Sequence, residues 1–115
     1  MASARKNLCD PSPEVQAARV SRKDDELRQE REAAWVGDAV LALFARQFVL
    51  HERKAMDGEW FTRLTSNDFL SAFGNPTRVE ASIGRLYQER GLEAAFGWMD
   101  THLIPLFRKQ VDAKR

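Results

Sequence analysis

Along this chain the polar positions come first. Met1 to Pro11 is polar and proline-rich at its end, and reads as a flexible N-terminal arm over residues 1–11. Ser12-Pro13-Glu14 then gives a helix start: a hydroxyl able to cap, a proline suited to the first helical position, and an acid in the first turn. Val15, Ala18 and Val20 make a short apolar strip. Ser21 to Glu32 follows, with Arg, Lys, Asp, Glu and Gln around the single Leu27, the pattern of a solvated helix or of a link between helices. From about Arg31 to about Arg53 the pattern becomes that of a long apolar helix. Val36, Val40, Leu43, Phe44 and Phe48 recur at helical spacing, and Ala34, Asp38, Ala42 and Ala45 form a second face of small residues around one acid. A helix apolar on two faces is a central one.

Beyond it, His51 to Gly58 is polar and holds the turn signal Asp57-Gly58. Glu59 to Phe73 reads as one or two helices burying Trp60, Phe61, Leu64, Phe69, Leu70 and Phe73, with Ser66 as a cap between them. Gly74-Asn75-Pro76 stops this segment and starts the next. That helix runs from Pro76 to about Glu89, buries Val79, Ile83, Leu86 and Tyr87, and closes at Gly91. A last helix, Leu92 to about Gln110, carries Ala95, Phe96, Trp98, Met99, Leu103, Ile104, Leu106 and Phe107, and Pro105 inside it predicts a kink. No segment alternates convincingly with period two. The fold class expected is all-α, a compact helical domain over 12–110 with five to six helices and a polar tail over 111–115.

Composition changes this picture little. The 115 residues, 43% hydrophobic and 30% charged, suit one soluble globular domain. A formal charge of +1 exerts little long-range pull on a polyanion, so a nucleic-acid role would rest on local basic patches or on a dimer. The lone Cys9, in the arm, excludes an intrachain disulfide and a cysteine-rich zinc site, which fits a reducing compartment. The N-terminus lacks an apolar core of signal-peptide length, and the longest apolar run is broken by Gly37, Asp38 and Arg46, so a cytoplasmic location without membrane contact is expected.

The candidate chemistry lies with two acids. Between Ala33 and Leu50 Asp38 is the only acid and Arg46 the only base. A buried, unpaired carboxylate costs several kcal/mol, so something should sit opposite it. Gly37 costs roughly 1 kcal/mol against alanine in a helix interior, which makes sense if another backbone approaches closely beside Asp38. Glu80, with Gly84 one turn away, sits on the helix that opens at Pro76. Two helices each carrying an acid beside a glycine can cross closely and bring Asp38 and Glu80 together. Paired carboxylates repel unless a proton or cation lies between them, and Mg²⁺ or Mn²⁺ is the natural cation for oxygen ligands. The simpler alternative is that each acid accepts hydrogen bonds from a helix start or pairs with Arg46, Arg78 or Arg85. His51 and His102 are single and far apart, with no ligand role assigned.

Trp35-Val36-Gly37-Asp38-Ala39-Val40-Leu41 resembles the signature helix of the ribonuclease III family. Val79-Glu80-Ala81-Ser82-Ile83-Gly84-Arg85-Leu86-Tyr87, followed by Gly91-Leu92-Glu93-Ala94-Ala95, resembles the family's second acidic helix and the glycine-led helix after it. The resemblance covers roughly Ala33 to Phe107. It implies an all-helical endonuclease domain that forms homodimers and cuts double-stranded RNA with Mg²⁺ held by acidic side chains. Asp38 and Glu80 then match the family's catalytic, metal-binding acids, and Trp35 the aromatic that enters a socket on the partner subunit. In the full-length family two further acids stand where this chain has Ala34 and Thr77. Asn75-Pro76-Thr77-Arg78-Val79-Glu80 is similar to the Mini-III branch, which lacks the double-stranded RNA-binding domain and is still a nuclease. Glu80 follows Asp38 by only 42 positions, which is short for either branch and implies that a middle helix or an RNA-contacting loop is lost.

RNA contact falls on Arg53, Lys54, Arg63, Arg78 and Arg85, since duplex RNA is read mainly through shape and backbone. The function expected is a Mg²⁺-dependent endoribonuclease acting on double-stranded or structured RNA, in ribosomal RNA maturation or similar processing. The alternative is a non-cutting, dimeric RNA-binding or ribosome-associated domain of the same fold. A helical interaction adaptor with no nucleic-acid role is a third reading.

Overall fold

The computed structural model describes residues 13–113, and every regular element in that range is helical. The expected arm, its Cys9, the Ser12 cap and the end of the polar tail lie outside the described residues, as do the side chains of Val15, Ala18 and Val20. Six α-helices follow in order: α1 (Pro13–Arg53), α2 (Gly58–Thr65), α3 (Asn67–Leu70), α4 (Pro76–Arg90), α5 (Leu92–His102) and α6 (Ile104–Ala113), with a 3₁₀ turn at Ser71–Phe73.

The charged stretch from Ser21 to Glu32 is solvated helix and not a link, because α1 runs unbroken for 41 residues. The segment has neither proline nor glycine and consists mostly of Arg, Lys, Glu, Gln and Leu, which are good helix formers. Arg28 bridges Asp25 at 3.1 Å and Glu32 at 3.9 Å along its surface, contacts worth only tenths of a kcal/mol each. Among the described residues Ser21–Arg53 is the one helical segment long and apolar enough to cross a membrane, and 44% of an apolar 18-residue stretch within it is buried, as in the central helix of a packed domain.

Lys54 ends α1 in the left-handed region at φ 60°, its N–H bonded to Leu50 O at 3.0 Å. Asp57, expected in a turn, caps α2 by accepting from the Trp60 N–H at 3.1 Å. The Trp60 N–H and then Arg53 hold its carboxyl below the usual carboxylate range. Ser66 accepts from Phe69 N–H at 3.1 Å and so separates α2 from α3, the division its position suggested. Gly74 (φ 135°), Asn75 as cap and Pro76 at the first turn open α4. Where a kink is expected at Pro105 the helix is interrupted at Leu103, which keeps helical dihedrals and gives its N–H to the Met99 carbonyl at 2.8 Å, and the last segment divides into α5 and α6. Proline has no N–H to give to the turn before it. Helix α6 then continues to Ala113, three residues past the expected end of the domain.

The core gathers on the C-terminal half of α1. Phe107 is its centre, nearly inaccessible, with ring contacts to Trp60 (5.2 Å), Phe69 (5.8 Å) and Phe48 (5.9 Å), all edge-on. Phe44 meets Phe96 edge-on at 5.3 Å, so one row of rings fastens α2, α3, α5 and α6 to the same stripe of α1. Leu43 and Tyr87, expected inside, are exposed.

Candidate functional site

At the crossing of α1 with α4 the two backbones touch. A Cβ placed on Gly37 would lie 1.7 Å from the carbonyl oxygen of Glu80 and 2.9 Å from the nitrogen of Gly84. One placed on Gly84 would lie 2.0 Å from the carbonyl oxygen of Ala33 and 2.9 Å from the nitrogen of Gly37. No other residue type fits at either position, and the hydrogen that replaces each Cβ points at a carbonyl of the facing helix, a weak Cα–H···O arrangement. Ala33, Ala34 and Ala81, all buried, complete this bare seam. The close approach expected beside Asp38 is therefore present, and it is reciprocal.

The acids stand at the rim of the seam. Successive helical residues are 100° apart, so with Gly37 on the contact line Asp38 falls at its edge, and it is exposed. Glu80 is half-buried. The apolar run around Asp38 suggested an acid in the interior. That expectation is corrected: among the described residues no charged or polar side chain is fully buried.

The two carboxyls are nevertheless near enough for Asp38 to act on Glu80. Burial first, then the hydrogen bond to Asp38 and the charge of Asp38, push the Glu80 carboxyl up from its ordinary 4.5 to about 7. Neither acid pairs with Arg46, Arg78 or Arg85, since the ion pairs among the described residues join Arg28, Arg53 and Arg108 to other acids. The charged neighbour that acts on the Glu80 carboxyl is Asp38. Such a pair holds one proton or one cation between its oxygens.

As ligands the pair suits a hard ion that keeps most of its waters, the habit of Mg²⁺, which is commonly held by one or two carboxylates plus substrate phosphates. No group of three or more His, Cys, Asp or Glu that could cage an ion occurs among the described residues. Of the two positions where the resemblance implies further acids, Ala34 is buried in the seam and Thr77 is exposed.

Beside Asp38 an apolar groove of about 610 Å³ runs between Trp35, Val36, Leu43, Tyr87 and Leu92. Trp35 is 80% exposed. Leu43, Tyr87 and Leu92 around it are also exposed, a cluster that sequence reasoning missed although Trp35, Ala39 and Leu43 follow one another at i, i+4 along α1.

Of the five basic residues expected to contact RNA, Arg53 and Lys54 stand at the end of α1, Arg63 on α2, and Arg78 and Arg85 on α4. Arg53 pairs with Asp57 at 3.2 Å and lies over the Trp60 ring at 4.7 Å. It is fifteen residues along α1 from Asp38, about 22 Å of helix. Exposed Lys54 is beside it. Arg63 lies over Phe107 at 5.9 Å. Arg78 borders a separate cavity with Trp98 and His102. Only Arg85 lines a groove that includes Trp35 and Val36, residues shared with the groove beside Asp38.

Comparison of the chain with protein-family models, with curated proteins and with solved structures finds no match in any of the three.

Proposed function

We propose that this protein is a Mg²⁺-dependent endoribonuclease of the ribonuclease III type, acting on double-stranded or structured RNA as a homodimer. The observation that carries the reading is the seam itself. Two glycines, each one turn or less from an acid, let α1 and α4 touch and set Asp38 against Glu80 with no arginine between them. A fold needs neither bare glycine in a helix interior nor facing carboxyls, and each is costly alone.

Asp38 and Glu80 would hold the ion. When bound, it supplies the charge that makes a water acidic enough to attack phosphorus in line and that offsets the charge on the departing 3′ oxygen. The chain's own contribution is placement. The rigid seam fixes both carboxyls, and the exposed side of Asp38 leaves the pair open to a phosphodiester from solvent. Trp35 and its exposed apolar neighbours would be covered by a second copy, which places two such acid pairs in one particle. A cytoplasmic site of action accords with this reading.

One observation favours the second reading, a dimeric RNA-binding domain that does not cut: with Ala34 and Thr77 in place of acids, two carboxylates stand alone at the site. Incubation of long duplex RNA with the protein and Mg²⁺ or Mn²⁺ decides between them. Cleavage that Asp38→Asn abolishes is the expected outcome. Binding without cleavage would establish the second reading, and cleavage unchanged in Asp38→Asn would remove this site altogether.

A further inference from the structure

A second cavity lies between α4 and α5, with a volume of about 480 Å³ and a lining that shares no residue with the groove beside Asp38. Its walls come from positions one turn apart on two facing helices: Asn75, Arg78 and Ser82 on one side, Trp98 and His102 on the other, with Phe73 at the end. The His102 imidazole stacks on the Trp98 indole, ring centroids 4.7 Å apart and planes 21° from parallel. Its Nδ1 donates to the Trp98 carbonyl at 2.9 Å, since a carbonyl only accepts, and this fixes the ring orientation. Opposite, the Asn75 side chain accepts from the Arg78 N–H at 3.3 Å and the Ser82 hydroxyl donates to the Arg78 carbonyl at 2.9 Å, so the backbone that carries Arg78 is held from both sides. The guanidinium itself makes neither an ion pair nor a ring contact among the described residues. No carboxylate lines the cavity.

We infer that this cavity binds an unpaired nucleotide of single-stranded RNA, with the base against the Trp98–His102 plates and the phosphate on Arg78. Planar aromatic surface beside a single unengaged cation is the combination that single-strand sites use. Sites for phosphopeptides gather several arginines on one phosphate, and here there is one. The inference is independent of the nuclease reading, because none of these residues belongs to the acid pair.

The test is fluorescence anisotropy of a short, labelled oligoadenylate titrated with the full chain in EDTA, so that binding is read without cleavage. Arg78 and His102 are exposed, and thermal melts of Arg78→Ala and His102→Ala should match the parent. Each variant should weaken binding about tenfold, the usual scale for one stacked base. Raising salt from about 50 mM to about 200 mM should weaken the parent further and Arg78→Ala less. Arg90→Ala, an exposed cation elsewhere on α4, should bind as the parent does. The His102 ring protons should shift on addition of the oligomer. No binding, equal binding by the parent and both cavity variants, or displacement by a phosphorylated peptide as readily as by oligoadenylate would each overturn the inference.

Discussion

The two ends of the buried stripe on α1 hold their neighbours by opposite means. Near Phe48 the contact is made of volume, with rings from α1, α2 and α3 interlocked around Phe107 of α6. Near Gly37 it is made by the lack of side chains, and two helices meet backbone to backbone over Ala33, Ala34 and Ala81. The first kind buries much apolar area and is the main source of stability. The second buries little but fixes position closely, and this is where the chain places its two facing acids. Stability and site geometry are thus carried by different segments of one helix.

The sharpest break in that comparison is Phe107→Ala. It should lower the unfolding free energy by about 3–5 kcal/mol, measured by urea denaturation, because it opens a cavity where four rings meet. Gly84→Ala comes next. Its new Cβ has no room beneath the Ala33 carbonyl, and a loss of about 3 kcal/mol is expected, as for a strongly overpacked site. The proposed activity against duplex RNA should fall by more than the folded fraction explains, since the acids separate. Trp35→Ala, at a surface 80% exposed, should leave the melting temperature of the monomer nearly unchanged and shift the proposed dimer toward monomer in sedimentation.

A smaller effect depends on pH. In metal-free protein the Glu80 carboxyl is raised to about 7 from 4.5, so between those values the folded chain holds a proton that the unfolded chain has released. The stability this group contributes is complete below about 4.5 and is lost as pH rises through about 7. Melting curves in EDTA across that window should show this slope, and Glu80→Gln should remove it. Smallest is Gly97→Ala in α5, where nothing lies within 4 Å of the added Cβ: a gain of about 0.5–1 kcal/mol, opposite in sign to the same change at Gly84.

Much of this was legible before the structure. Helical periodicity gave the elements, and Gly74-Asn75-Pro76, Gly91 and Ser66 gave most boundaries, because caps and proline act locally. The pairing of Gly37 with Gly84 was also readable, since a glycine kept inside an apolar helix implies a near neighbour. The exposure of Asp38 was not. An apolar run shows that a helix is central but not which 100° sector a given residue occupies once its partners are placed. Whether Arg53, Lys54, Arg63, Arg78 and Arg85 share a face was hidden for a related reason: charges on separate helices do so only if the packing puts them there. Trp98 and His102, at i and i+4, carried their signal in the spacing alone, which an isolated histidine easily conceals.

The most direct test of the central claim is a crystal soaked in Mn²⁺ and measured for anomalous scattering. One peak is expected between the carboxyls of Asp38 and Glu80, with oxygens from both acids at about 2.0–2.3 Å and waters completing the shell. A map with no peak there, and the two carboxyls bonded to each other through a shared proton, would contradict it.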